Sequence, residues 1–238
     1  MTRPLVDVRD LHYRFDNGVV ALNGIHFELE ANRCVALLGP NGSGKTTFAH
    51  HLNGILRGSG SVAIGGLEVK DENLAEIRRR VGIVFQDSDS QLFMPTVLED
   101  VAFGPAARGY PPKEATERAR QALHLTGMTA LADRAPWQLS AGEKKRAALA
   151  GVLACEPELL VLDEPTTFLD PPGQRDFARL LAGLPQARII ISHDVPFVRR
   201  LTEEAVFFWE GTIAARGPLT EIVQRYNWQV NEGPENKG

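Results

Sequence analysis

CVALLGPNGSGKTTF, residues 34–48, is the stretch that decides the fold. Cys34 to Leu38 is a short, wholly apolar run of strand length, and it leads straight into a glycine-rich turn that opens a helix through Thr47, Phe48 and Leu52. Gly39, Gly44, Lys45 and Thr46 keep the G-x-x-x-x-G-K-[ST] spacing, with a strand before it and a helix after it. The glycines let backbone N–H groups turn inward around an anionic phosphate, beside the positive end of the new helix. Lys45 has the reach for β- and γ-phosphates, and the Thr46 hydroxyl suits one Mg2+ position. Gly39, Pro40, Asn41, Gly42, Ser43, Gly44, Lys45, Thr46 and Thr47 are therefore the expected cradle for the phosphates of a nucleotide. Alone, the motif establishes phosphate binding; hydrolysis needs further groups.

Upstream, Leu5 to Phe15 alternates apolar and polar residues, Asp16-Asn17-Gly18 supplies a turn, and Asn23 to Glu30 alternates again. Downstream, Ser61 to Leu67 and Val81 to Phe85 read as strands, with a short helix between them over Asp71 to Arg80. The chain changes character between Asp87 and Ala135: Lys113 to His124 reads as helix, and Asp100 to Pro112, with two glycines and three prolines, is expected to be mostly irregular. Beyond it, Ser140 to Leu153 is helical. Leu159 to Leu162 and Arg188 to Ile191 are buried strands on either side of a helix from about Gly173 to Leu184. Val206 to Phe208 and Thr212 to Ala214 form a late hairpin, and nothing in the last dozen residues looks strongly structured. Buried strands separated by helices imply a mainly parallel sheet. The expected class is α/β: a P-loop NTPase core of mainly parallel sheet, with an N-terminal antiparallel β part and a helical subdomain inserted at 87–135.

Composition narrows the setting. The 238 residues are 43 % apolar, and 26 Lys and Arg face 30 Asp and Glu, a formal charge of −4. That balance does not advertise a nucleic-acid surface, though it leaves room for a local basic patch, and no nucleic-acid partner is expected. No apolar run approaches the length that spans a bilayer, and MTRPLVDVRD lacks the apolar centre of a signal peptide. A cytoplasmic location is expected, with any membrane role reached through a partner. Cys34 and Cys155 stand apart from one another beside apolar residues and read as core.

A second group of polar residues falls at strand ends. Leu159 to Leu162 delivers Asp163 and Glu164 where α/β sheets bind ligands. Asp163 suits Mg2+, and Glu164 suits polarising the water that attacks a γ-phosphate. His193 follows the apolar run Ile189 to Ile191, where an imidazole can orient that water. Gln86 ends the VGIVF strand, and its amide has both donors and an acceptor with which to bridge Mg2+ or water to a loop.

In this order the pieces resemble the ATP-binding cassette ATPases over about Val6 to Gly217. The distinguishing run is LSAGEKKR, Leu139 to Arg146, just upstream of ELLVLDEPTTFLDP. The resemblance implies one cassette domain over 1–217, with the signature helix starting at 139 and a short tail over 218–238. It implies head-to-tail packing with a second ATP-binding subunit, identical or not, so that Ser140 and Gly142 of one subunit meet ATP on the other's P-loop. It also implies that Glu164, His193, Gln86 and Lys45 are catalytic and that Thr46, Gln86 and Asp163 hold Mg2+. Asp170 would couple the two sites, and Phe15 would stack on adenine, with Tyr13 as a substitute. Two departures stand out: Ala141 and Phe168, where such families usually carry glycine.

The run VFQDSDSQLFMPTVLEDVAFGP, residues 84–105, is similar to the ATPases of energy-coupling-factor importers, nearest to the branch powering cobalt or nickel uptake. That likeness implies a transmembrane coupling protein, a separate substrate-selecting membrane protein, and a peripheral position on the cytoplasmic face of the cell membrane. A coupling helix would dock at Leu92, Phe93 or Met94. The alternatives are the same machine serving a vitamin such as biotin or an amino acid, a non-transport cassette acting on nucleic acid or the ribosome, and a catalytically idle half of a heterodimer.

Overall fold

In the computed structural model, which describes residues 3–228, two sheets are laid down in chain order. β1 (Val6–Arg14) and β2 (Val20–Leu29) pair antiparallel, and β3 (Cys34–Leu38) leads into α1 (Lys45–Leu52). β4 (Ser59–Ile64) and β5 (Leu67–Glu68), split by a Gly65-Gly66 turn, complete a four-stranded antiparallel sheet in the order β2-β1-β4-β5. A 3-10 turn and α2 (Leu74–Arg80) then return the chain to β6 (Val81–Val84).

Residues 97–125 form two helices, α3 (Val97–Ala107) and α4 (Pro112–Leu125). The expectation of irregular chain over Asp100 to Pro112 fails through most of α3, where Pro105 lies inside the helix. The overriding force is at the other end. Thr96 accepts from the Glu99 amide while the Glu99 carboxylate accepts from the Thr96 amide, a reciprocal cap that satisfies two orphan donors. Val97 and Val101 are fully buried one turn apart and add packing energy to the cap. Pro105 sits in the last turn, where it removes one intrahelical donor and little helix remains beyond it to be disrupted. In α4, Ala115, Ala119, Ala122 and Leu123 make the buried stripe.

α5 (Ala141–Leu153), β7 (Leu159–Asp163), α6 (Pro171–Ala182), β8 (Ala187–Ile191) and α7 (Val195–Val198) follow, then the hairpin β9 (Glu204–Trp209) and β10 (Thr212–Pro218), and α8 (Leu219–Arg225). The main sheet has the order β10-β9-β3-β8-β7-β6, parallel at every pairing except β10 with β9. The tail expected over 218–238 is corrected where the structure describes it. Pro218 belongs to β10, and α8 buries Leu219, Ile222 and Val223 in the same core as Phe207, so these residues pack on the domain. Residues 229–238 of that expected tail lie outside the described residues.

The central strands read as unbroken apolar runs because both of their faces are covered. Ala36, Leu38, Leu160, Leu162 and Ile190 enter one core cluster with α5 and α6, while Val35, Leu37, Leu159, Val161, Ile189 and Ile191 enter the other with Phe48 of α1. The alternation is the strand period of two. Each fully buried aliphatic side chain contributes roughly 1.5–3 kcal/mol of transfer free energy. This register holds the carboxyl ends of β3, β7 and β8 level, with Leu162 opposite Ile190 and Asp163 opposite Ile191. Polar groups one residue further on converge at a single edge of the sheet.

Candidate nucleotide site

The loop after β3 is shaped by two glycines. Gly39 has φ +131°, and a Cβ there would run into the Phe208 carbonyl oxygen; Gly44, with φ +104°, is the N-cap of α1 and lies against the Ala21 carbonyl. Neither place admits a side chain, and α1 begins without a side-chain cap, so its first N–H groups stay available at the loop. Lys45 is buried, and its ammonium donates to the carbonyls of Gly39 and Pro40, both at 2.8 Å, and to Ser43 Oγ at 3.4 Å. Burial pulls its pKa down, and the charges of Glu164 and Asp163 oppose the fall.

Thr46 Oγ1 donates to Asp163 Oδ2 at 2.8 Å across 117 positions of sequence, joining the start of α1 to the end of β7. The Asp163 carboxyl is pushed above the ordinary carboxylate range by burial; the Thr46 hydrogen bond resists, the neighbouring Glu164 adds to the rise, and His50 and Lys45 hold it back. Two hard oxygens so placed suit Mg2+, which takes hydroxyl, carboxylate and water ligands.

Glu164 leaves the strand in the left-handed region, φ +43°, with its amide tied to the Ile191 carbonyl at 2.9 Å. A non-glycine residue held there costs of order 1 kcal/mol and persists only where its surroundings enforce it. His193 Nδ1 stands 2.9 Å from Glu164 Oε2, the imidazole exposed and the carboxylate almost buried. The two do not align as a hydrogen bond, which leaves Oε2 a buried acceptor without a donor. That is a costly arrangement for structure and a useful one for accepting a proton.

A cleft of about 420 Å3 collects these groups: Lys45, Thr46, Gln86, Asp163, Glu164 and His193 all line it. Asn41, Gly42, Gly44 and Thr47 line it too, and Phe15 closes one end beside Val19, Val20 and Ala21. Gly39, Pro40 and Ser43 shape the loop from behind. Tyr13 is not on this wall; it packs edge-on to Phe15 and to His51 at ring separations of 5.0 and 4.9 Å and borders a neighbouring groove. A larger hollow, about 860 Å3, lies at the amino ends of β3 and β8 and contains none of the site residues.

Ser140 and Gly142 are not brought to the cleft. They open α5, where Ser140 and Glu143 form a reciprocal cap, and exposed Ala141 lies between them. Phe168, also exposed, has φ +67°, and Asp170 caps α6 by accepting from the Gly173 amide at 2.8 Å.

Three features escape a reading of the sequence. Asp100, buried on α3, accepts from the amides of Phe93 and Met94, both at 3.0 Å, and so fixes the segment after Gln86. Gln91 folds its amide back onto β6, accepting from the Phe85 amide and donating to the Ile83 carbonyl, which covers an edge of the sheet. Lys145, on α5, is buried with its ammonium 2.7 Å from the Gln86 carbonyl. Its one visible signal is a lysine inside an alanine-rich helix, on the same face as Ala148 and Leu149.

Residues 22–167 match the family profile described as ABC transporter. A putative ABC transporter ATP-binding protein of Streptomyces coelicolor is 50 % identical over 219 residues, 92 % of this chain and 84 % of that one. An energy-coupling factor transporter ATP-binding protein, EcfA, of Methanothermobacter thermautotrophicus is 47 % identical over 225 residues, 92 % of this chain and 72 % of that one. Among solved structures, cbiO1 of Clostridium perfringens, described as part of the ABC transporter complex cbiONQ, superposes with a TM-score of 0.84 at 34 % identity, over 96 % of each chain. A dimeric ATP-binding cassette in a post-hydrolysis state with ADP and Pi superposes with a TM-score of 0.79 at 25 % identity, over 90 % of this chain and 98 % of that one.

Proposed function

This chain belongs to the ABC transporter family of ATP-binding proteins, and from that membership we propose that it is the ATPase subunit of an energy-coupling-factor importer that takes up cobalt or nickel. The observation that carries the reading is the division of the site. Lys45, Thr46, Gln86, Asp163, Glu164 and His193 share one cleft, while Ser140 and Gly142 open a helix outside it. A second ATP-binding subunit, identical or not, supplies the missing half.

In the proposed cycle ATP lies on the loop 39–47 with its adenine against Phe15, and Lys45 exchanges its loop carbonyls for β- and γ-phosphate oxygens. Thr46 and Asp163, with the Gln86 amide, would hold Mg2+, which when bound supplies charge neutralisation on those oxygens. Glu164, through its carboxylate, draws a proton from the attacking water, and His193 orients that water and faces the γ-phosphate. Ser140 and Gly142 of the partner close over the triphosphate, so ATP binding favours the closed dimer and loss of Pi reopens it.

The membrane side of the reading rests on the segment after Gln86. Among the described residues no helix is long and apolar enough to cross a membrane. Phe93 is 63 % exposed and packs edge-on, at 5.0 Å, against Phe103, which is also exposed. This aromatic pair is where a transmembrane coupling protein would rest a helix, holding the chain peripherally on the cytoplasmic face of the cell membrane, with a further membrane protein selecting the cargo. The likeness to EcfA and to cbiO1 supports the coupling-factor branch. Cobalt or nickel as cargo rests on the resemblance of residues 84–105 alone, and a vitamin such as biotin is the competing cargo.

The test is co-purification of the chain with the membrane proteins encoded beside it, then ATPase and metal-uptake assays on the assembly. Expected are a membrane-bound complex, hydrolysis stimulated by the partners, and uptake of cobalt or nickel. A chain that hydrolyses ATP but never joins a membrane protein overturns the importer reading, and uptake of a vitamin instead overturns the cargo.

A further inference from the structure

Burying a lysine ammonium is expensive unless something compensates the charge. Lys145 is 2 % exposed, and among the described residues no carboxylate lies within ion-pair distance of it. Among the described residues its hydrogen-bond acceptor is the backbone carbonyl of Gln86, at 2.7 Å. Burial pulls the Lys145 pKa down, and Asp87, Asp163 and Glu164 oppose the fall from further off. Its sequence neighbour Lys144 reaches the same segment from the solvent side, 2.6 Å from Asp89 Oδ1. Two successive side chains of α5 thus grip residues 86–89 at two points, one of them sealed from water.

The position matters because of what lies at each end of the grip. Gln86 presents its side chain to the cleft of its own subunit. Ser140 and Gly142, on the first turn of the same α5, stand outside that cleft. Five residues of helix, about 7–8 Å of rise, separate Ser140 from Lys145. A helix is stiff over that length, so a shift of the Gln86 backbone reaches the start of α5 with little loss. Other packing holds α5 in the core, Lys144 joins it to Asp89, and Lys145 is the attachment that reaches Gln86 itself.

We infer that Lys145 is a positioning residue that fixes the Gln86 backbone to α5, so that filling a subunit's own cleft sets the placement of the Ser140–Gly142 turn it offers to its partner. This rests on the two-subunit reading above. Lys145 touches neither nucleotide nor the reacting atoms; it acts through Gln86.

The experiment compares wild type with Lys145→Met, which keeps length and burial but has no donor, and with Lys145→Arg, which keeps both charge and donor. Lys145→Gln serves as a second loss variant should the methionine form fold poorly. Three quantities are read on folded protein: affinity for a fluorescent ATP analogue, kcat, and the ATP concentration that drives dimerisation in an E164Q background. For K145M the expected result is analogue affinity within about twofold of wild type, kcat at least about tenfold lower, and about fivefold more ATP needed for the dimer. K145R is expected to recover most of the loss. Wild-type kcat and dimerisation in both K145M and K145Q overturn the inference, as does a fall in Tm with kcat per folded molecule unchanged. A wild-type protein that hydrolyses no ATP overturns the functional reading, and this inference falls with it; undiminished K145M beside an active wild type overturns this inference alone.

Discussion

Burial raises the Asp163 carboxyl against the combined pull of the Thr46 hydroxyl, His50 and Lys45, and that has a consequence for stability. Where the folded pKa lies above the unfolded one, the unfolded chain gives up its proton first. Stability is therefore lost as pH climbs from the ordinary carboxylate range through the raised value, and the loss is complete only above that value. Asp163→Asn removes the charge and keeps an oxygen for Thr46 to donate to. The variant is expected to melt a few degrees higher at pH 7, about 2–4 °C per kcal/mol recovered, with the gain vanishing in acid, while Mg2+-dependent hydrolysis is lost. Calorimetry at pH 4 and pH 7 checks it, and a lower Tm at pH 7 would show that Asp163 stabilises the fold. Glu164→Gln separates binding from chemistry: ATP affinity should stay near wild type while kcat falls by about 10²-fold or more, read by single-turnover hydrolysis. At this scale much of the site was legible in advance. Lys45, Thr46, Asp163 and Glu164 announce themselves because their spacing to strand ends is short and local. Lys145 and Asp100 do not. Their partners are backbone groups of residues 86, 93 and 94, and no residue type marks the far end of such a bond.

The segment 84–107 shows what composition conceals at the scale of an element. Two glycines and three prolines between residues 100 and 112 argue for irregular chain, yet α3 forms through Ala107. The decisive signal, Thr96 and Glu99 three apart, is local, and the breakers that follow it conceal it. α8 is hidden for a different reason: seven residues carry too few periods to announce a helix, and its stability comes from the core it covers. Within the segment, Asp100 is the element's anchor, because its two oxygens take the amides of Phe93 and Met94 and hold the exposed Phe93 against Phe103. Asp100→Ala leaves both amides without a partner and should cost roughly 2–4 kcal/mol if they stay buried, less if water reaches them. Hydrogen exchange should then show faster opening at residues 93 and 94 while the amides of β7 and β8 keep their protection. If β7 and β8 open equally, the segment is no independent element. In the assembled transporter the same variant should weaken attachment to the membrane partner more than it weakens nucleotide binding.

For the whole molecule the question is whether one catalytic site needs two chains, and the geometry permits a test by complementation. Lys45→Ala disables the cleft and leaves α5 untouched. Gly142→Asp leaves the cleft of its own chain intact, but sets a negative charge at the turn proposed above to face the partner's triphosphate. The turn has room for the side chain, since a Cβ on Gly142 would meet no atom closer than 3.5 Å, at Leu169. The damage is therefore electrostatic and lies between subunits. Each variant alone should be inactive. In an equal mixture half of the dimers are mixed, and each mixed dimer pairs the sound cleft of one chain with the sound turn of the other. Activity should return to about a quarter of wild type if the two sites act independently and the subunits exchange freely, and to less if hydrolysis at one site requires ATP at both. Size exclusion with light scattering would report the mixed dimer, and phosphate release its turnover. A mixture as inactive as its parts, despite proven mixed dimers, would mean that two ATPs act as a unit. Activity in Gly142→Asp alone would mean that the cleft is complete within one chain, and the two-subunit site would have to be given up.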